Sequence, residues 1–253
     1  MNALRLEVDG REVSAGDAWS IAAGFGHFTA MQVRDGATRG LDLHLARLEA
    51  AHRELFDASL DLDHVRALIR HALDGTADAS VRVYGYERDP EPALVVTVRE
   101  PAGVTSPLRL RSVRYQRPDA HLKHLATGAA FYSRAARLAG FDDALLTADD
   151  GAISESGAAN VGFWDGSSVV WPDAPQLHGI TMQLLERDLP GEGFPSRREP
   201  VRLADLPGYG AAFVTSARGV ATVAAVDDLG FPEGQDLVDA VSEVYDAVPW
   251  DPI

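Results

Sequence analysis

Apolar residues recur along this chain with two different periods. Over 41-LDLHLARLEAAHRELF-56, Leu41, Leu45, Leu48 and His52 share one face at helical spacing. The stretch 62-LDHVRALIRHAL-73 repeats the pattern, so both segments predict amphipathic helices. Strands are predicted at 3-ALRLEV-8 and, after the turn Asp9-Gly10, at Arg11–Val13. A further strand, 28-FTAMQVRDG-36, runs into the turn Asp35-Gly36. The runs 80-SVRVYGY-86 and 93-ALVVTVRE-100 read as strands separated by the polar, proline-bearing ERDPEP. In the second half, strands are predicted at 108–115, 144–148, 160–165, 168–172, 211–216 and 220–226. A helix is predicted over much of 121–139, ended by Gly140, another after 178-HGIT-181, and a third over about 235–246. The stretch 100-EPAGVTSP-107 reads as a linker, which predicts domains at 1–105 and 106–253. Strand-rich halves with a few helices and no internal repeat predict a mixed α+β chain, not a regular βαβ array.

The length of 253 residues and an apolar content of 46% suffice for a sizeable core. The net charge of −15 makes nucleic-acid phosphates and anionic membranes poor partners, although a local arginine pocket can still take an anionic substrate. The sequence has no cysteine, which excludes disulfides, thiolate nucleophiles and cysteine-based metal sites. The opening MNALRLEVDGREV lacks an apolar core of signal-peptide type, and no apolar run approaches membrane-spanning length. The expectation is a soluble cytoplasmic protein.

One residue stands out chemically. Lys123, in 120-AHLKHLATGAA-130, is the only lysine, and every other basic residue is arginine. A guanidinium stays protonated, whereas a desolvated lysine can lose its proton and attack a carbonyl. A chain biased toward arginine can also retain one lysine by chance, and the position alone leaves both readings open. Three other stretches could carry chemistry. Glu155 lies past a turn in 153-ISESGAAN-160 among small residues, where a carboxylate is more often a solvated loop group. In 177-LHGITMQLL-185, Gly179 precedes a helix with Thr181 in its first turn, which suits a phosphate or an ordinary N-cap. In 214-VTSARGV-220, two hydroxyls precede a glycine turn, again suited to an anion or to plain turn chemistry. Together they supply an amine, a carboxylate and two phosphate-binding ends, which is the set pyridoxal phosphate needs.

The order of these motifs resembles that of the class IV aminotransferases, the fold-type IV pyridoxal-phosphate enzymes. That family includes branched-chain and D-amino-acid aminotransferases and aminodeoxychorismate lyase. The stretch 24-GFGHFTAMQVRDGATRGLDLHLARL-48 is similar to "GDGVFET-R…G…L..H..RL", 121-HLKHLATG-128 to "KTLNYL" or "KHLNRL", and 141-FDDALLTADDGAISESGAANVGFW-164 to "ADEALLLDEDGYVTEGSSSNIF". The stretch 177-LHGIT-181 is similar to "LPGIT", and 213-FVTSARGVATV-223 to "FLSGTAAEITPV". The resemblance implies a small α/β N-terminal domain and a larger strand-rich, pseudo-barrel C-terminal domain. It implies a Schiff base to pyridoxal 5′-phosphate at Lys123, with Arg47, the Ile180 and Thr181 amides and Ser216 on the phosphate. Glu155 then partners the pyridine nitrogen, Asn160 closes the motif and His44 is structural. Phe28, Thr29, Arg82, Tyr84, His124 and Ala217 become candidates for the substrate side. The implied activity is amino-group transfer between an amino acid and a keto acid, by a homodimer. The alternatives are a lyase of the aminodeoxychorismate type, with Thr29 or His124 as proton donor, and a non-catalytic cofactor-binding relative. The sequence departs from the family at Ala126-Thr127-Gly128 after the lysine, at SESG for TEGS, and at His178 and Thr222 for prolines.

Overall fold

The computed structural model describes residues 3–231 and 234–253. It divides into two compact units: 1–102 with 122–126 and 249–253, and 103–121 with 127–248.

In the first unit, β1 (Ala3–Val8), β2 (Arg11–Glu12), α1 (Ala15–Ala23), β3 (Gly26–Val33) and β4 (Ala37–Arg39) are followed by α2 (Leu41–Phe56) and α3 (Leu62–Leu73). Strands β5 (Ala79–Tyr86) and β6 (Ala93–Arg99) complete a five-stranded sheet of order β2-β1-β6-β5-β3, all antiparallel. Alternation decides the layering. Met31, Val33, Val81, Val83, Val96 and Val98 point to one face and pack with Leu41, Leu45 and Leu48 of α2 and Val65, Leu68 and Ile69 of α3. The residues between them, including Phe28, Arg82 and Tyr84, fall on the opposite face.

The second unit contains β7 (Leu108–Arg114), α4 (Ala129–Leu138), β8 (Asp143–Thr147), β9 (Ile153–Ser156), β10 (Asn160–Trp164) and β11 (Val169–Pro172). After these come α5 (Ile180–Asp188), β12 (Ser196–Glu199), β13 (Ala211–Ser216), β14 (Gly219–Val226), β15 (Leu229–Gly230) and α6 (Gly234–Asp246). The last strand, β16 (Trp250–Pro252), belongs to the first unit, where it pairs with β4. The large sheet has the order β12-β11-β10-β13-β14-β7-β8-β9, with β15 beside β14. Strands β9 and β10 are five places apart in that order, which is about 24 Å in a flat sheet. Only residues 157–159 join them, and Ser156 to Asn160 can span no more than about 14 Å of extended chain. The sheet therefore has to curl, and β9 lies against β10. Its concave lining is apolar and fully buried, with Leu110, Leu145, Ile153, Val161, Phe163 and Val223 at its centre.

Helices α2, α3, α5 and α6 and the main strands fall where patterning places them. The helix predicted over 121–139 is shorter: regular helix occupies only Ala129–Leu138, behind Gly128. Residues 122–126 are instead an irregular extended piece paired with β3. Several elements were not anticipated, among them α1, β9, β12, β15 and β16. Helix α1 carries a reciprocal capping box, in which the Ser14 hydroxyl accepts from the Asp17 amide and Asp17 accepts from the Ser14 amide. Among the described residues no helix is long and apolar enough to cross a membrane.

Candidate active site

Strand β3 is an edge strand, and an edge strand presents unpaired backbone groups. The segment holding Lys123 uses them. The Phe28 amide donates to the Lys123 carbonyl at 2.9 Å and the Leu125 amide donates to the Gly26 carbonyl at 2.8 Å. His27 and His124 form an antiparallel bridge. The Lys123 backbone is thus fixed by the sheet without being in a regular element. Its Nζ lies 4.9 Å from the centre of the Phe28 ring, within cation–π range. Phe28 stacks on Tyr84 at 5.3 Å, and the Tyr84 hydroxyl accepts from Arg82 at 3.2 Å. Arg82 also lies 5.8 Å from the Phe28 ring centre. Four of the predicted residues, Lys123, Phe28, Tyr84 and Arg82, therefore form one cluster.

The other face of β3 holds a second cluster. Thr29, 1% exposed, meets His44 Nδ1 at 2.7 Å and accepts from Arg47 Nη2 at 2.7 Å. His44 and Arg47 project from successive positions on the same side of α2. Burial, then Arg47, then Lys123 hold His44 well below the usual imidazole range, so it is neutral. Burial pulls the Arg47 guanidinium down to about 10, which still leaves it cationic at neutral pH. Its Nε is buried and has no hydrogen-bond partner. An unsatisfied buried donor of this kind costs about 1–3 kcal/mol, a cost that an anionic oxygen placed there would remove. Thr29 is thus enclosed against α2, on the opposite side of β3 from Phe28. That position disagrees with its assignment to the substrate side, because alternation turns residue 29 away from residue 28.

In the second unit, Glu155 is not a solvated loop carboxylate. It lies on β9, 6% exposed, and accepts from Arg117 Nε at 2.7 Å. Arg117, itself 9% exposed, also donates to the Ala120 carbonyl. Arg117 had no place among the sequence candidates. Its loop, QRPDA, carries no periodic signal, and the match to Glu155 exists only because β7, β8 and β9 are neighbours in the sheet.

Asn160 opens β10 and donates to the Leu177 carbonyl at 2.6 Å and to Gln176 Oε1 at 3.0 Å. It thereby ties the sheet to the loop leading into α5. Gly179, the N-cap of α5, is required there, since a Cβ would collide with Asn160 Oδ1. No side chain caps this helix, so the amides of Ile180 and Thr181 are available to an anion. The Thr181 hydroxyl donates to the Ser216 carbonyl at 2.7 Å, joining the helix start to the turn between β13 and β14. The Ser216 hydroxyl accepts from the Arg218 amide at 3.2 Å, and Ala217 sits in the same turn. Asn160 and Thr181 thus tie the start of α5 to β10 and to the turn that holds Ser216.

Comparison with known proteins identifies the family and the fold. A family model described as "Amino-transferase class IV" matches residues 26–226. No curated protein matches the chain. Among solved structures, a hypothetical aminotransferase from Mycobacterium tuberculosis in a PLP-bound form has a TM-score of 0.82 at 21% identity, over 96% of this chain and 98% of that one. A branched-chain aminotransferase from Thermoproteus uzoniensis with norvaline has a TM-score of 0.86 at 17% identity, over 97% and 94%. A putative 4-amino-4-deoxychorismate lyase from Legionella pneumophila has a TM-score of 0.82 at 19% identity, over 94% and 96%. At these identities the likeness is one of fold.

Proposed function

We propose that this chain, which belongs to the amino-transferase class IV family, is a pyridoxal-phosphate enzyme that moves an amino group between an amino acid and a keto acid. Its mixed α+β architecture is that of fold-type IV. The observation that carries the reading is that one unit brings to the surroundings of His44 both the sole lysine, Lys123, beside Phe28, and a partly buried arginine, Arg47, whose enclosed Nε has no partner. An aldehyde needs the first and a phosphate dianion the second. The remaining candidates fit the same group. The Ile180 and Thr181 amides and the Ser216 hydroxyl suit phosphate oxygens, with Asn160 holding the helix start in place. Glu155, kept in position by Arg117, suits a protonated ring nitrogen.

When bound, pyridoxal phosphate supplies an electron sink that acidifies the substrate Cα–H. The protein's part is to bind, orient and move protons. Lys123 Nζ would hold the cofactor and, as a free amine beside the substrate Cα, would take its proton. Phe28 and Tyr84 offer an apolar wall, and Arg82, which makes no ion pair among the described residues, offers a guanidinium to a substrate carboxylate. His124 and Ala217 complete the proposed substrate side. We infer a cytoplasmic homodimer that takes amino-acid and keto-acid substrates. The exposed apolar residues Phe131 and Leu138 of α4 support self-association.

The test is borohydride reduction of the protein with added pyridoxal phosphate, followed by peptide mapping. Label on the peptide holding Lys123 supports the reading, and an unmodified Lys123 ends it. Steady-state kinetics then separate the two activities of the family. Amino transfer needs a keto-acid acceptor and gives ping-pong behaviour, whereas a lyase turns over without an acceptor.

A further inference from the structure

Thr29 is hydrogen-bonded to both His44 and Arg47, and its proton arrangement can be worked out. Arg47 can only donate, so the Thr29 oxygen accepts from it at 2.7 Å. The Thr29 hydroxyl proton then needs an acceptor, and Thr29 is 1% exposed. The ring nitrogen that can take it is His44 Nδ1, 2.7 Å away. His44, kept neutral by burial and by the cations near it, accepts at Nδ1 and carries its proton on Nε2. Arg47 Nη2 to Thr29 Oγ1 to His44 Nδ1 is therefore a directed chain with every proton placed. No carboxylate belongs to it, so the arginine is oriented without being neutralised. Its Nε remains unmatched in the buried interior.

We propose that Thr29 is a positioning residue for the cofactor phosphate: its hydroxyl fixes the Arg47 guanidinium and the His44 tautomer, and it is not a proton donor to substrate. The proposal rests on the reading of Arg47 as a phosphate ligand. A hydroxyl locked between these two partners has its proton already committed.

The test compares pyridoxal phosphate with pyridoxal, which lacks only the phosphate, in equilibrium titrations of the cofactor-free protein. Thr29→Val keeps the shape and removes the hydroxyl. It is expected to weaken pyridoxal phosphate by about tenfold or more while changing pyridoxal by less than about twofold. Thr29→Ser is expected to return pyridoxal phosphate to within about threefold of the unaltered protein. A loss shared equally by both ligands, or no loss, overturns the proposal. So does a Thr29→Val protein that keeps its cofactor affinity but fails to protonate substrate. Nitrogen-15 NMR of the unaltered protein decides even if that variant does not fold. The Nε2–H tautomer of His44 is expected, and a proton on Nδ1 overturns the proposal. If the unaltered protein itself does not prefer pyridoxal phosphate over pyridoxal and Lys123 stays unlabelled, the proposed function fails and this inference falls with it. A normal preference that Thr29→Val leaves intact sinks the inference alone.

Discussion

Two charged side chains with enclosed polar atoms are handled in opposite ways in this molecule. Arg47, in the first unit, is held by a threonine hydroxyl and has a neutral histidine as the next neighbour, with an orphaned Nε. Glu155, in the second unit, faces a guanidinium 2.7 Å away. A buried charge is expensive unless it is matched. The second unit supplies the match from its own chain, and the first does not. The matched carboxylate is therefore a fixed feature of its unit, independent of any ligand. The unmatched arginine is a stored cost that a bound anion relieves. Substitutions at the two positions should have opposite effects on stability.

The largest effect is expected at the lysine. Lys123→Arg keeps the cation over Phe28 but removes the only titratable amine on a side chain, and turnover should fall by at least about a thousandfold. Loss of the borohydride-labelled peptide in the same variant checks the assignment. Next, Glu155→Leu takes the carboxylate away from the buried Arg117, so the cofactor-free protein should lose about 3–5 kcal/mol in chemical denaturation. If its stability is unchanged, the contrast between the units is wrong. Arg47→Met removes an unmatched charge and fills similar space. The cofactor-free protein should be as stable as the parent or more so, by about 1–3 kcal/mol, while its affinity for pyridoxal phosphate drops. Destabilisation there would mean that Arg47 has structural work to do without a ligand.

The smallest effect per step is a pH dependence. Burial holds His27 down at about 3 and also lowers His52 and His44. Such groups are depressed below their unfolded value near 6.5, so the unfolded chain binds more protons as the pH falls. Stability is full above about pH 6.5 and declines below it, by about 1.4 kcal/mol per pH unit for each proton taken up on unfolding. The contribution of His27 continues to fall toward pH 3. Urea midpoints measured between pH 7 and 5 check the sign, and a midpoint that rises on acidification would contradict it.

How far the sequence could be read depends on where the determining contacts lie. Helices α2 and α3 were legible because Leu41, Leu45, Leu48, Val65, Leu68 and Ile69 repeat at helical spacing and all enter one core. The piece at 122–126 was misread as helix because it has helix-compatible residues, and its actual partner, the edge of β3, is about a hundred residues away. The capping box at Ser14 and Asp17 was a local signal for α1 that patterning alone passed over. Glu155 read as a surface group because its neighbours are small and polar. What buries it is the curl of the sheet, and what pairs it is Arg117 across two strand connections. The resemblance assigns Thr29 to the substrate side together with Phe28, but in a strand such neighbours face opposite ways.

Strand β16 carries a consequence of a different kind. Asp251 Oδ2 accepts from the Leu41 amide at the start of α2, where Gly40 provides no side-chain cap, and the two residues are 210 positions apart. Trp250 lies under Arg39, and Ile253 enters the core beneath the first sheet. The helix that bears His44 and Arg47 therefore receives its cap from a segment translated after the whole of the second unit. On the ribosome the first unit emerges early but is finished late, so the order of synthesis and the order of completion are reversed. Closing so long a loop costs entropy that grows only slowly with length, which lets a distant segment serve as the clasp.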